Sequence, residues 1–381
     1  MPSNDNQPKK VALVHDWLAG MRGAERCLEV FCDMFPEADI FTLFHVQGSV
    51  SKKIESHRIH TSFLNAFPSV GSYYRYLLPI MPYAVESFRF DGYDLVISGS
   101  SCVAKGVIVP QGVRHVSYVY SPMRYAWDLS GIYFGGTGGW QRFRYGVVSS
   151  MLHPLRVWDT SSWARPDEIA VVSEYIGDRL KKVSRRESVV IYPPVDTEFF
   201  SKGLREKKSD YFLMVTAFEP SRQPMVAIKA LTELGVPLKV VGSLGRYGRQ
   251  CKSEAGKNVE FLGRVTDEEL MKLYGSALGL IVPGIEDFGM APVEALAAGT
   301  PVIVNDEGGA KEILADVVTK LGVQFNCGSV DSLRRAVVEI RKGWENKMWD
   351  REYLSRSSLR FSRDRFVAEF KKMIEGTHGT I

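Results

Sequence analysis

Ile281-Val-Pro-Gly-Ile-Glu-Asp-Phe-Gly-Met-Ala-Pro-Val-Glu-Ala-Leu-Ala-Ala-Gly299 passes from an apolar run, through a turn, into a helix-forming segment. Gly279 to Pro283 reads as a short buried strand, and Met290 to Ala298 as a helix closed by Gly299, with Pro301 just beyond. Gly284-Ile-Glu-Asp-Phe-Gly289 between them is a strand-to-helix turn. In an open α/β sheet such a turn falls at the carboxyl end of a strand, where ligands bind, and it offers backbone N–H groups to anions or sugar hydroxyls.

The same alternation extends outward from this stretch. Tyr211 to Thr216, Leu238 to Gly242, Val259 to Leu262 and Pro301 to Val304 are further strand candidates, and together they describe a doubly wound domain. Upstream, Lys10 to His15, Asp39 to Phe44, Tyr93 to Ser98, Arg114 to Val119 and Glu168 to Ser173 form a second series, the first of them followed by a helical Gly23 to Phe35. Between the series lie Ile191-Tyr-Pro-Pro-Val-Asp196 and the charged Ser201 to Asp210, which has the composition of an exposed connection. The expected fold class is therefore α/β, with Rossmann-like domains at 1–197 and 198–362. A C-terminal helix at 363–381, with Phe366, Phe370 and Met373 on one side, is placed to cross back to the first domain.

At 381 residues the chain exceeds what one hydrophobic core supports, in keeping with two domains. Hydrophobic residues at 45% and charged residues at 24% are those of a packed, water-soluble protein. The net charge of +4 is small for the length and does not suggest a nucleic-acid partner. Five scattered cysteines without a Cys-x-x-Cys pair read as buried thiols in a reducing cytoplasm. The polar N-terminus shows no export signal, and the most apolar stretch, Tyr76 to Val85, is short and broken by Pro79 and Pro82.

Glu286 lies in the turn and Glu294 in the first turns of the helix. Both carboxylates could face one crevice and accept from vicinal hydroxyls of a polyol. Spacing alone leaves a second reading open, in which Glu294 is a helix-surface charge and Glu286 only favours the helix N-terminus.

The chain resembles the retaining glycosyltransferases of GT-B family 4, in which two glutamates flank seven residues just before a Gly-Thr-Pro-Val strand entry. The match runs on through Gly299-Thr-Pro-Val-Ile303 and Gly308-Gly309-Ala-Lys-Glu312. It includes Val14-His-Asp-Trp17, Gly23-Ala-Glu25, Ala104-Lys-Gly106, Tyr192-Pro-Pro-Val-Asp196 and Phe261-Leu-Gly-Arg-Val265. Ser121-Pro-Met-Arg-Tyr-Ala-Trp-Asp128 is similar to bacterial transferases that build O-antigen and exopolysaccharide chains, many of which use GDP-mannose.

That resemblance implies two domains facing a central cleft and transfer of an α-mannosyl group from a nucleotide sugar. The acceptor it implies is a polyprenyl-diphosphate-linked saccharide, met at the cytoplasmic face of the inner membrane alongside other polysaccharide-assembly proteins. Glu294 would bind the ribose hydroxyls, and Glu286 with the N–H groups of Phe288, Gly289 and Met290 would hold the sugar. Gly23 and Arg22 would approach the diphosphate, and Gly242 and Arg264 the base. No cofactor and no metal are expected, and the chain has no Asp-x-Asp pair.

Several positions depart from the family pattern, among them Arg22, which replaces the first glycine of the usual Gly-Gly pair. An arginine and a lysine usually follow the first strand of the donor domain, and these places read Ala217 and Arg222. Arg222 keeps a donor fork that can grip phosphate. Tyr120 stands where a histidine is usual, and its hydroxyl can still donate to a sugar. On the acceptor side the candidates are Arg124, Asp128 and Lys105, with a structural Arg124–Asp128 ion pair as the other reading. Ser62 to Phe90, rich in aromatic residues, and Trp140-Gln-Arg-Phe-Arg-Tyr145 suit either a lipid surface or ordinary packing.

Overall fold

A computed structural model describes residues 10–124, 126, 127, 139–314 and 318–376. The chain divides into two units, Met1–Tyr192 together with Val367–Ile381, and Pro193–Phe366. The division falls at the Tyr192-Pro-Pro segment, five residues before the expected 197/198 boundary.

The first unit is built on a parallel sheet of seven strands in the order β3-β2-β1-β4-β5-β6-β7. These are β1 Val11–His15, β2 Asp39–Thr42, β3 Ile59–Thr61, β4 Leu95–Ser100, β5 Arg114–Val119, β6 Glu168–Val171 and β7 Val189–Val190. The second unit has a six-stranded parallel sheet in the order β10-β9-β8-β11-β12-β13. Its strands are β8 Phe212–Val215, β9 Leu238–Val241, β10 Val259–Gly263, β11 Gly279–Val282, β12 Val302–Asn305 and β13 Gly322–Phe325.

Parallel strands are covered on both faces, so they need continuous apolar runs. Val11-Ala-Leu-Val-His15 and Gly279-Leu-Ile-Val282 are buried at every residue. Every central strand was legible for that reason, to within two residues at either end. The three strands without a sequence-level expectation, β3, β7 and β13, all lie at sheet edges. Edge strands are short and partly wet, and Ile59-His-Thr61 and Val189-Val190 are only half-buried or exposed.

Strand order reverses between β1 and β4 in the first unit and between β8 and β11 in the second. Loops leaving the carboxyl ends of such a strand pair diverge and leave a crevice between them. The helices that bear on these crevices are α1 Gly23–Met34, α2 Gly139–Ser162, α3 Asp267–Ser276 and α4 Met290–Ala297.

The last helix, α5 Arg363–Ile374, starts in the second unit and ends in the first. Phe366, Phe370 and Met373 are buried along one side of it, as their spacing predicts. Phe370 packs edge-on to Phe31 at 4.7 Å, and Arg114 of β5 donates to the Met373 and Ile374 carbonyls, closing the helix C-terminus. All five cysteines are free thiols; four are buried and Cys327 is half-buried.

Candidate active site

The turn after β11 is held by its neighbours on both sides. Asn305 at the end of β12 donates to Pro283 O at 3.2 Å, and the Gly309 N–H donates to Glu286 O at 2.8 Å. On the other side the loop after β8 presses directly on the turn. A Cβ at Gly284 would stand 2.5 Å from Arg222 Cα, so only glycine lets the two backbones meet. The reversal of strand order thus brings Arg222, 64 positions upstream, onto Glu286.

Their side chains form an ion pair, with Arg222 27% and Glu286 23% exposed. A planar guanidinium against a carboxylate is a strong and directional contact. Its partly exposed setting lets a ligand replace one partner by its own phosphate or hydroxyl groups at modest desolvation cost. Ala217, in the same loop, is exposed and brings no charge.

Gly289 is the N-cap of α4, with no side-chain cap of its own, and Met290 is its first residue. The backbone amides of this end have the orientation that favours anions and hydroxyl oxygens. Phe288 contributes only its backbone, because its ring is buried and meets Phe361 edge-on at 5.4 Å. One turn into α4, Glu294 is buried and its Oε2 accepts a 2.8 Å hydrogen bond from the Tyr274 hydroxyl of α3. Glu294 is therefore not a helix-surface charge. Tyr274 had no part in the sequence-level site, since a tyrosine in a helix interior looks like ordinary core.

Gly242 ends β9 where the chain passes β8. A Cβ there would fall 2.0 Å from Thr216 O, and its N–H donates to Gly263 O at 2.8 Å. Arg264, just after β10, is exposed, and its Nε reaches Ser243 Oγ at 2.5 Å. Gly242, Ser243 and Arg264 thus form one rim beside the carboxyl end of β9.

In the first unit Arg22 and Gly23 are exposed at the start of α1. The Arg22 N–H donates to Glu25 Oε2 at 2.9 Å, and Glu25 Oε1 lies 3.5 Å from His15 Nε2. Tyr120, at the end of β5, donates to Ala24 O at 3.2 Å. Burial, reinforced by Cys27 and Tyr118, pushes its hydroxyl well above the usual tyrosine range, so it stays a proton donor. The structure thus gathers Gly23, Glu25, His15 and Tyr120 at the β1 side of the first crevice. His15 and Glu25 were quoted in the motif comparison without a role.

Asp16 is spent on the fold. It accepts backbone N–H groups from Ser101 at 2.6 Å, Cys102 at 2.9 Å, Val103 at 2.8 Å and Ala104 at 2.7 Å. Lys105 also lies inward, which corrects its placement on the acceptor side. Only 1% exposed, it pairs with the wholly buried Asp159 at 2.6 Å and sits over the Trp163 ring at 4.4 Å. The other Asp159 oxygen accepts from Trp127 Nε1 at 2.8 Å. Arg124 is half-buried and donates to Ser121 Oγ at 3.1 Å. Asp128 and the side chains of Trp140 to Tyr145 lie outside the described residues.

Residues 195–352 match the family described as Glycosyl transferases group 1. The O-antigen chain mannosyltransferase of Salmonella typhimurium is 31% identical over 189 residues, which cover 47% of this chain and 52% of that protein. An uncharacterized glycosyltransferase of Methanocaldococcus jannaschii is 28% identical over 214 residues, covering 55% of this chain and 59% of that one. The matches thus span about half the length of these curated relatives. Among solved structures, the sucrose-phosphate synthase of Thermosynechococcus elongatus superposes with a TM-score of 0.69 at 16% identity, covering 97% of this chain and 98% of that one. Anabaena HepE in complex with UDP-glucose does so with a TM-score of 0.66 at 18% identity, covering 96% and 99%. Residues 195–352 are thus similar to the group 1 glycosyl transferases, in a chain whose two parallel-sheet units have the GT-B fold.

Proposed function

We propose that this chain is a retaining glycosyltransferase that moves an α-mannosyl group from GDP-mannose to a lipid-linked saccharide acceptor. The observation that carries the reading is the second-unit crevice, where Glu286 with its Arg222 partner, the start of α4 and Glu294 share one turn and helix. Glu294 takes the ribose hydroxyls and Glu286 the hydroxyls of the sugar. Arg222 and the amides of Gly289 and Met290 stabilise the charge that builds on the departing phosphate as the anomeric carbon becomes oxocarbenium-like. The acceptor oxygen forms its bond to that carbon as the bond to the diphosphate breaks, and its proton passes to the leaving phosphate. By resemblance alone, Tyr120 and Arg124 are the first unit's candidates for contact with substrate.

Mannose is favoured by the mannosyltransferase names among the relatives, and a lipid-diphosphate acceptor by the resembled Pro-Met-Arg segment. A peripheral membrane contact is supported by exposed aromatic residues in the segment Ser62 to Phe90. Tyr76 and Tyr83 are 84% and 70% exposed, and Phe63 and Phe67 are also exposed. Arg75 is exposed beside them, in keeping with an anionic surface. No helix among the described residues is long and apolar enough to cross a membrane.

A second reading, a subunit that binds the nucleotide sugar without transfer, is favoured by Ala217, whose methyl group stands where the resemblance expects a cation. The two readings separate in a panel of GDP-mannose, UDP-glucose, UDP-GlcNAc and UDP-galactose, offered with lipid-diphosphate-saccharide acceptors. Turnover with GDP-mannose supports transfer. Binding without turnover from any donor overturns it in favour of the second reading.

A further inference from the structure

The Tyr274–Glu294 contact lies in the packing between α3 and α4. Tyr274 is wholly buried and its ring is fixed on several sides. Phe200 meets it edge-on at 5.7 Å. Its own carbonyl accepts from Thr300 Oγ1 at 2.6 Å, and Thr300 Oγ1 in turn accepts from Lys208 Nζ at 2.6 Å. The next residue, Gly275, is pressed so closely on Gly203 that a Cβ would come within 2.2 Å of the Gly203 carbonyl oxygen. The backbone at Tyr274 is thereby held against shift, and its phenol is presented at a fixed place.

A tyrosine hydroxyl has one proton to give, and here it goes to Glu294 Oε2 at 2.8 Å. A glutamate has three side-chain torsions, and its terminal one is broad, so a carboxylate without such a partner samples many orientations. We infer that Tyr274 is a positioning residue: its hydroxyl fixes the plane of the Glu294 carboxylate before the ligand arrives, so that the ordering cost is met in folding rather than in binding. The inference rests on the assignment of Glu294 to the ribose, and it adds to the site a residue that touches no ligand.

The test uses the full chain, Tyr274→Phe, Glu294→Ala and the double variant, with GDP and UDP and their 2′,3′-dideoxy forms as calorimetric probes. Tyr274→Phe keeps the ring and its packing, so thermal unfolding is expected to move little. Dissociation constants for the ribonucleotides are expected to rise about tenfold, the loss of roughly one hydrogen bond to a charged group. The dideoxy forms should bind the wild type and Tyr274→Phe alike. In a turnover assay the effect should fall on donor KM with kcat kept, a split that general loosening of the fold would not give. In the Glu294→Ala background Tyr274→Phe should add nothing.

Unchanged ribonucleotide binding by Tyr274→Phe, or full additivity with Glu294→Ala, overturns the positioning role. If instead Glu294→Ala itself leaves binding unchanged and the wild type does not discriminate against dideoxy forms, the ribose assignment fails first, and the inference fails with it.

Discussion

Two ion pairs, one in each unit, set the terms on which the crevices work. Arg222–Glu286 in the second unit is about one-quarter exposed on both sides, whereas Lys105–Asp159 in the first is 1% and 0% exposed. Both join a loop at the carboxyl end of a strand to a distant part of the same unit. A partly exposed pair loses little when a ligand displaces one partner, so its charges remain available for chemistry. A buried pair has already paid for desolvation and cannot be opened without leaving an uncompensated charge. Lys105 therefore serves the fold, tying Cys102 O and, through Asp159, Trp127 together.

The largest expected effect comes from breaking the buried pair. Lys105→Ala leaves the wholly buried Asp159 charge without its cation and should cost about 3–5 kcal/mol of stability by urea denaturation. Lys105→Met combined with Asp159→Leu should recover a substantial part of that loss. A loss under 1 kcal/mol for the single variant would show that water reaches this pair and that the contrast with Arg222–Glu286 is only apparent.

Next in size is Glu286→Gln, which keeps shape and removes charge. Its expected signature is a fall in turnover of about 10²–10³-fold, with stability nearly unchanged. Affinity for the nucleoside diphosphate without its sugar should hold or rise, because Arg222 is released from its partner. Weaker binding of that product would mean that the pair itself, rather than free Arg222, shapes the phosphate site.

The contrast between the pairs also explains what could be read from sequence. Central strands, the turn Gly284 to Gly289 and the amphipathic face of α5 are written in local patterns of two to eight residues, and these were legible. Arg222 was legible only through resemblance, because its approach to Glu286 depends on strand order, which no local pattern encodes. Lys105 misled for the opposite reason. A lysine beside a glycine in a loop reads as exposed, and nothing nearby announces that Asp159, 54 residues on, waits for it inside α2. Tyr274 was invisible because a tyrosine within a helix reads as ordinary core, and the 2.8 Å contact to Glu294 is what marks it out.

The first unit's reliance on buried polar groups predicts acid sensitivity. His115 is wholly buried, with Nε2 2.9 Å from Ser98 Oγ, and burial pulls its pKa down to about 4. The charged groups facing it are Asp167, which opposes the shift, and Arg165, which adds to it. The unfolded chain takes up this proton near pH 6.5, so stability present above that value is lost as pH falls toward 4. The loss is about 3 kcal/mol, from roughly 2.5 units of difference. Denaturant titrations at pH 7, 5.5 and 4.5 should show this decline, and His115→Asn should flatten it. An equal slope in both proteins would place the acid-sensitive group elsewhere.

The smallest expected change in stability is that of Arg222→Ala, and it bears most directly on the comparison. As one partner of a partly exposed pair, Arg222 should contribute under about 1 kcal/mol to folding, several times less than Lys105 does. If its role lies with the ligand, the same substitution should lower turnover by about 10²-fold or more while the unfolding midpoint barely moves. Arg222→Lys should restore charge without the planar fork and recover activity in part. The opposite pattern, a large loss of stability with turnover preserved, would make Arg222–Glu286 a second structural tie like Lys105–Asp159. The phosphate-binding charge would then have to come from another residue of the crevice.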